Sequence, residues 1–160
     1  MNIRNSNSME TQRLKQEFSQ LYNGDPWIDV TLKQTLHEIS AEKALKKIAE
    51  GRNSIWQILN HIIEWRRMLL KRLSGTIVPV PEDNFIRKIK DPSEEAWQRT
   101  LQDLEETQQE WLLFFDGLKD EDLEKTYPGN GQRFYYLIQG IIQHDAYHLG
   151  QIVLLSKLQY

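Results

Sequence analysis

Apolar residues recur at three- and four-residue spacing along most of this 160-residue chain, and no useful run alternates with period two. That pattern predicts helices packed on one another, because a helix with one apolar stripe must bury it against a neighbour. Leu14, Phe18, Leu21 and Tyr22 share a face up to Asn23-Gly24-Asp25-Pro26, where Gly and Pro end the helix. A short helical turn is expected from Thr31 to Glu38. Another begins at Ser40, with Ala44, Leu45 and Ile48, and stops at Gly51. Ser54 and Gln57 have capping-box spacing and open a longer helix, whose stripe runs from Ile55 through Ile58, Leu59, Ile62, Trp65 and Leu69 to Leu73.

Thr76 to Lys90 holds two prolines and few helix signals, so it reads as a long, mostly extended crossover that can reach the far end of a bundle. Asp91 as N-cap, Pro92 as first helical residue and Glu94 predict the next start, and that helix runs through Trp97, Leu104, Trp111 and Phe115 to Gly117. After a short acidic turn and a Pro/Gly loop, the last helix spans Arg133 to Lys157. The expected fold is all-α: a four-helix bundle with a long crossover connection and short extra helices. Residues 1–8 are read as a polar, mobile tail and 9–160 as one helical-bundle domain.

Composition removes several functions. With 20 Lys+Arg against 23 Asp+Glu there is no basic excess for nucleic acid. No apolar run approaches a membrane span, and the first ten residues lack the apolar centre of a signal peptide, which leaves a cytoplasmic protein as the expectation. Without cysteine there is neither thiolate nucleophile nor sulfur ligand, so any metal must be held by histidine and carboxylate.

Of the four histidines, two stand in the last helix as His144-Asp145-Ala146-Tyr147-His148. Residues four apart differ by about 40° and lie one turn apart, close enough for both rings to reach one ion. Leu137, Ile141, Gln151 and Leu155 lie on the same side, so two imidazoles and an amide interrupt an apolar stripe. Buried polar groups need partners; a metal would satisfy them, and so would a hydrogen-bond network. The zincin pattern HExxH is rejected, since Asp replaces Glu and no His or acid follows His148. Glu-x-x-His pairs for a di-iron centre are absent. A third ligand must come from upstream, and His61, in mid-helix beside the apolar stripe, is a better candidate than His37 next to Glu38.

The segments Ser54-Ile55-Trp56-Gln57-Ile58-Leu59-Asn60-His61, Glu64-Trp65 and His144 to Gln151, together with Gly24-Asp25-Pro26-Trp27 and the stretch from Asn84-Phe85 to Trp97, resemble the DinB/YfiT-like family of helical-bundle metalloenzymes. The resemblance runs from about Met9 to Leu158. It implies a three-histidine site for a divalent metal, usually zinc or nickel, which by position would be His61, His144 and His148. It also implies homodimers, and activities like those of characterised relatives: thiol S-transferases using bacillithiol and a mycothiol-dependent isomerase. No motif in this chain identifies a low-molecular-weight thiol cosubstrate.

Three neutral imidazoles leave a coordination position open, as in catalytic rather than structural zinc sites, for water or a substrate thiol. The expectation is therefore a metal-dependent enzyme acting on a small molecule, by thiol transfer or hydrolysis. The alternative is a non-catalytic helical dimer whose histidines are structural or hold a metal without turnover. Gln151 is a candidate to hydrogen-bond a metal-bound water, or else links two helices. Glu64 is a candidate base or imidazole orienter, or else a surface partner of Arg67. Asp145 supports a neighbouring helix or lies on the surface. Trp27, Trp56, Trp65 and Tyr147 are read first as core residues, and Arg66 to Arg72 as a solvated helix face, with attraction of an anionic substrate by Arg66, Arg67, Lys71 and Arg72 as the lesser alternative.

Overall fold

The computed structural model describes residues 9–158, so the tail assigned to residues 1–8 lies outside the described residues. Six α-helices are present among them: α1 (Met9–Asn23), α2 (Leu32–His37), α3 (Ala41–Leu45), α4 (Ile55–Leu73), α5 (Glu94–Gly117) and α6 (Phe134–Leu158), with a 3-10 turn at Asp120–Glu124 before α6. The four long helices form the bundle. α4 packs on α5 and α6, and α1 on α5 and α6. The two short helices cover one end, and residues 74–93 form a crossover without helix or strand.

Local chemistry explains most boundaries. Ser54 accepts from Gln57 N while the Gln57 side chain accepts from Ser54 N, the reciprocal capping expected from their spacing. The start of α5 differs from expectation. Ser93, extended at φ −69° and ψ 156°, is the N-cap and accepts from Ala96 N, whereas Asp91 accepts from Ser93 N one step earlier. Pro92 therefore precedes the helix rather than opening it. α3 ends at Leu45, which leaves Ile48 in a loop and half exposed. At α1, Asp120 accepts from the amides of Glu10 and Thr11, so a residue 109 positions on closes that helix end.

Buried apolar side chains fall into two clusters. One joins α2 and α3 to the start of α4, the start of α5 and the end of α6, around Trp56 and Trp97, whose rings meet edge-on at 5.1 Å. The other joins α1 to the ends of α4 and α5 and the start of α6, around Phe18, Trp111 and Phe115. Between them runs a polar layer. Arg66 and Asp145, 0% and 1% exposed, pair at 2.8 Å. The guanidinium also donates to Gln108 at 3.1 Å and stacks 4.6 Å above Phe18. Arg66 is thus buried, not part of a solvated face, while Arg67 behaves as expected, pairing with Glu64 and Asp103 at the surface.

Trp56 is core, with its indole N–H on Thr100 Oγ1 at 2.9 Å. The core reading fails for Trp27, which is 99% exposed on the loop after α1, and for Tyr147, which faces outward from α6; Trp65 is half-buried. A helical period says nothing about a loop residue such as Trp27. Tyr147 lies about 100° from Ala146 and His148, toward the side of α6 that no other helix covers.

Candidate metal centre

The polar layer carries the histidines. His61 sits in mid-α4, and His144 and His148 lie one turn apart on α6, which runs antiparallel beside it. His61 is buried and the other two half-buried, and one nitrogen from each lies within 4.8 Å of the others. The ring centroids are 4.4 to 4.8 Å apart, and Nε2 of His61 faces Nε2 of His144 at 2.9 Å. His37 is exposed at the end of α2 and takes no part.

The opposite ring nitrogen of two of the three histidines meets an acceptor. Nδ1 of His61 donates to the main-chain carbonyl of Asn84 at 2.6 Å, and Nδ1 of His148 to Oε1 of Gln151 at 2.7 Å. Nδ1 of His144 lies 3.5 Å from Oδ1 of Asp145. Both atoms are buried and without a hydrogen-bond partner among the described residues. A carbonyl and an amide oxygen can only accept, so His61 and His148 carry their protons on Nδ1 and leave Nε2 as a lone pair, whereas Nδ1 of His144 makes no hydrogen bond. Three ring nitrogens converging at this separation fit a cation. A hydrogen-bond network fits less well: a proton on His144 Nε2 would leave its Nδ1 lone pair facing a carboxylate.

Two of the rings, His61 and His148, are also pushed toward the neutral form that metal ligation requires. Burial holds His61 below the usual imidazole value, against the opposing pull of the Asn84 hydrogen bond. Burial, reinforced by the neighbouring imidazoles, pushes His148 down to about 4. Zinc and nickel both accept such nitrogen donors, so the set does not choose between them.

Around the rings is a cleft of about 380 Å³ whose walls include Trp65, Asn84, Ile86, Tyr147 and Gln151. Trp65 anchors it by donating from its indole to Asn84 Oδ1 at 3.0 Å, with its ring 5.4 Å from His144. Gln151 bridges within α6, its Nε2 donating to the Tyr147 hydroxyl at 3.1 Å while its oxygen holds His148. Glu64 lies 3.5 Å from Arg67 and is not among the cleft residues.

Asn84 and Arg66 are what sequence reasoning missed, and of the two readings open for Asp145 the contact with a neighbouring helix is the one observed. Asn84 acts through its backbone, which leaves no sequence trace. The charged pair did leave one: about 100° per residue puts Arg66 on the same stripe as Leu59, Ile62 and Leu73, and Asp145 on that of Ile141 and Ile152. Opposite charges centred on two apolar stripes are a signature of a buried pair.

The sequence model of the DinB superfamily matches residues 30–152, a span that contains all three histidines, Asn84 and Gln151. No curated protein matches the chain.

Proposed function

The chain belongs to the DinB superfamily, and from that premise we propose that it is a divalent-metal-dependent enzyme acting on a small molecule, by thiol transfer or hydrolysis. Nε2 of His61, His144 and His148 would hold the ion, with zinc or nickel the best suited. The observation that carries this reading is the convergence of one nitrogen from each of three histidines within 4.8 Å, with the Nδ1 protons of His61 and His148 held on acceptors of their own. Bound there, the ion would supply Lewis acidity at an open position, making a nucleophile of a weak acid such as water or a low-molecular-weight thiol near neutral pH.

The chain's own groups do the rest. Gln151 orients His148, Asn84 orients His61, and Asp145 backs His144. Trp65 and Tyr147 wall the cleft. Glu64 is assigned to the surface pair with Arg67.

The reading includes a homodimer. Tyr136, Tyr147, Leu154 and Leu158 are all more than half exposed on α6. They fall within about 40° of one another around the helix. A helix with apolar residues on its outer as well as its inner face is suited to burial by a second copy. No described helix is long and apolar enough to cross a membrane.

Elemental analysis of untagged protein tests the proposal. Near one zinc or nickel per chain, lost in His61→Ala, His144→Ala and His148→Ala but kept in His37→Ala, is the expected result. Metal-free protein after incubation with either ion would sink it in favour of a non-catalytic helical bundle with structural histidines.

A further inference from the structure

A second cleft, of about 210 Å³, opens on the other side of Trp65 and His144 between α4 and α6. Its axis follows from the antiparallel helices. Trp65 and His144 form one end; Leu69, Leu137 and Ile141 wall the middle; Arg72 and Tyr136 lie at the far end. Seven residues along α4 separate Trp65 from Arg72, a run of about 10 Å. The cleft therefore begins at the histidine site and leads away from it over an apolar floor.

Two features mark this space as built for a ligand. Gly140 lines it in the middle of α6, where glycine is unfavourable and alanine would ordinarily serve. A β-carbon there would meet no heavy atom within 4 Å, so no packed neighbour requires the glycine. The second feature is Arg72. Its Nε and Nη2 donate to the carbonyl of Val78 at 2.9 and 2.6 Å, and its guanidinium stacks 5.1 Å above the ring of Tyr127. These contacts fix the group in place without neutralising it: no carboxylate pairs with it among the described residues, and none lines the cleft. A rigid, uncompensated guanidinium at the end of an apolar slot suits a planar anion such as a carboxylate.

We propose that this cleft binds the substrate of the histidine site, and that the substrate is a small acid: an apolar body over Leu69, Gly140 and Ile141, with a carboxylate held by Arg72 at the end of the cleft away from His144. The inference rests on the reading of the three histidines as a metal centre, because it assigns the substrate of that centre.

Calorimetric titration with 4-phenylbutyrate and with its neutral analogue 4-phenylbutanol tests it, on zinc-loaded and on metal-free protein. The wild type should bind the acid at least tenfold more tightly than the alcohol in both forms. Arg72→Met should abolish that preference while leaving the alcohol's affinity unchanged, and Arg72→Lys should retain part of it. Gly140→Leu should weaken both ligands by at least tenfold, yet bind zinc as the wild type does. Equal affinity for acid and alcohol, acid binding indifferent to Arg72→Met and Gly140→Leu, or no binding at millimolar concentration would each overturn the assignment. A wild type that binds the acid through Arg72 but takes up no zinc would refute the metal centre and leave the cleft as a carboxylate site, so the two failures are distinguishable.

Discussion

His61 is oriented by a main-chain carbonyl, and Asn84, the residue that presents it, lies in the left-handed region at φ 48°. Phe85 follows at φ 61°. Asparagine tolerates this conformation; a bulky aromatic residue does not, so two successive residues are held where L side chains rarely go. Asp83 offsets part of the cost by accepting from Phe85 N at 2.9 Å, and the Asn84 side chain accepts from Trp65. The strain sits where the crossover touches the site, and removing either support should be felt at the histidines.

Asn84→Ala deletes the acceptor for Trp65 and leaves an unsupported β-carbon in the left-handed region, a strain of about 1 kcal/mol. Zinc affinity should fall about tenfold, the lower end of what outer-shell changes do. Asn84→Gly should recover the stability and not the Trp65 contact. Competition against a chromophoric chelator reads the first effect and thermal melting the second. An unchanged affinity in Asn84→Ala would show that the crossover does not position His61.

Gln151→Leu removes the acceptor on His148 Nδ1 while preserving bulk. Its zinc affinity should drop by roughly 10- to 100-fold. Glu64→Ala loses only a half-exposed pair with Arg67 and should change affinity less than about twofold and stability by less than about 1 kcal/mol. The same chelator competition decides both. A Glu64→Ala effect as large as that of Gln151→Leu would return Glu64 to the site.

Arg66→Met and Asp145→Asn each strand the other partner's charge in the bundle interior. Each should cost about 3–5 kcal/mol in urea unfolding, whereas Arg66→Met/Asp145→Leu should cost clearly less than the sum of its singles. Additive losses would mean that the two residues do not act as a pair.

Glu105 gives a pH dependence of defined sign. The Tyr22 hydroxyl donates to it, and Lys33 lies 3.2 Å from the same oxygen; the Tyr22 bond chiefly holds its carboxyl below the ordinary value. A carboxyl depressed in the folded state binds fewer protons there than in the unfolded chain, so its stabilisation is present above the unfolded value and is lost as pH falls through the folded one. Partly exposed, the contact is worth about 1 kcal/mol. Wild type should therefore melt higher than Glu105→Gln near pH 7, and the gap should close below about pH 4. A gap that persists in acid would assign the difference to something other than ionisation.

Leu154→Glu places a charge on the exposed apolar face of α6. Sedimentation should show a dimeric wild type and a monomeric variant of equal helix content. A wild type that is monomeric at micromolar concentration would remove the second copy from the proposal.

How much of this was legible in the sequence depended on whether a residue acts through its side chain and its position on a helix. His144 and His148 were found because one turn separates them, and His61 because it flanks a stripe facing α6. The capping of α4 was legible for the same reason: Ser54 and Gln57 act over three residues. Ser93 was missed because Asp91 and Pro92 carry a strong start signal two residues early. Trp27 was misplaced because hydrophobicity was taken for burial in a loop, where no period constrains it. Arg66 was misread because it stands in a charged run, although its angle already placed it among Leu59, Ile62 and Leu73. The Asn84 carbonyl lay beyond reach altogether: a tertiary turn, not a residue type, brings it under His61.

The Arg66–Asp145 pair adjoins the histidines in sequence, five residues after His61 on one helix and one after His144 on the other. Were α4 to slide one turn along α6, about 5.4 Å, both ions would lie unpaired in the interior. Misalignment is thus penalised by electrostatics rather than prevented by the ion, and the donors are already in step before any metal arrives. Loading then resembles filling a finished socket: the chain should fold without waiting for its metal, and capture it with little rearrangement afterwards.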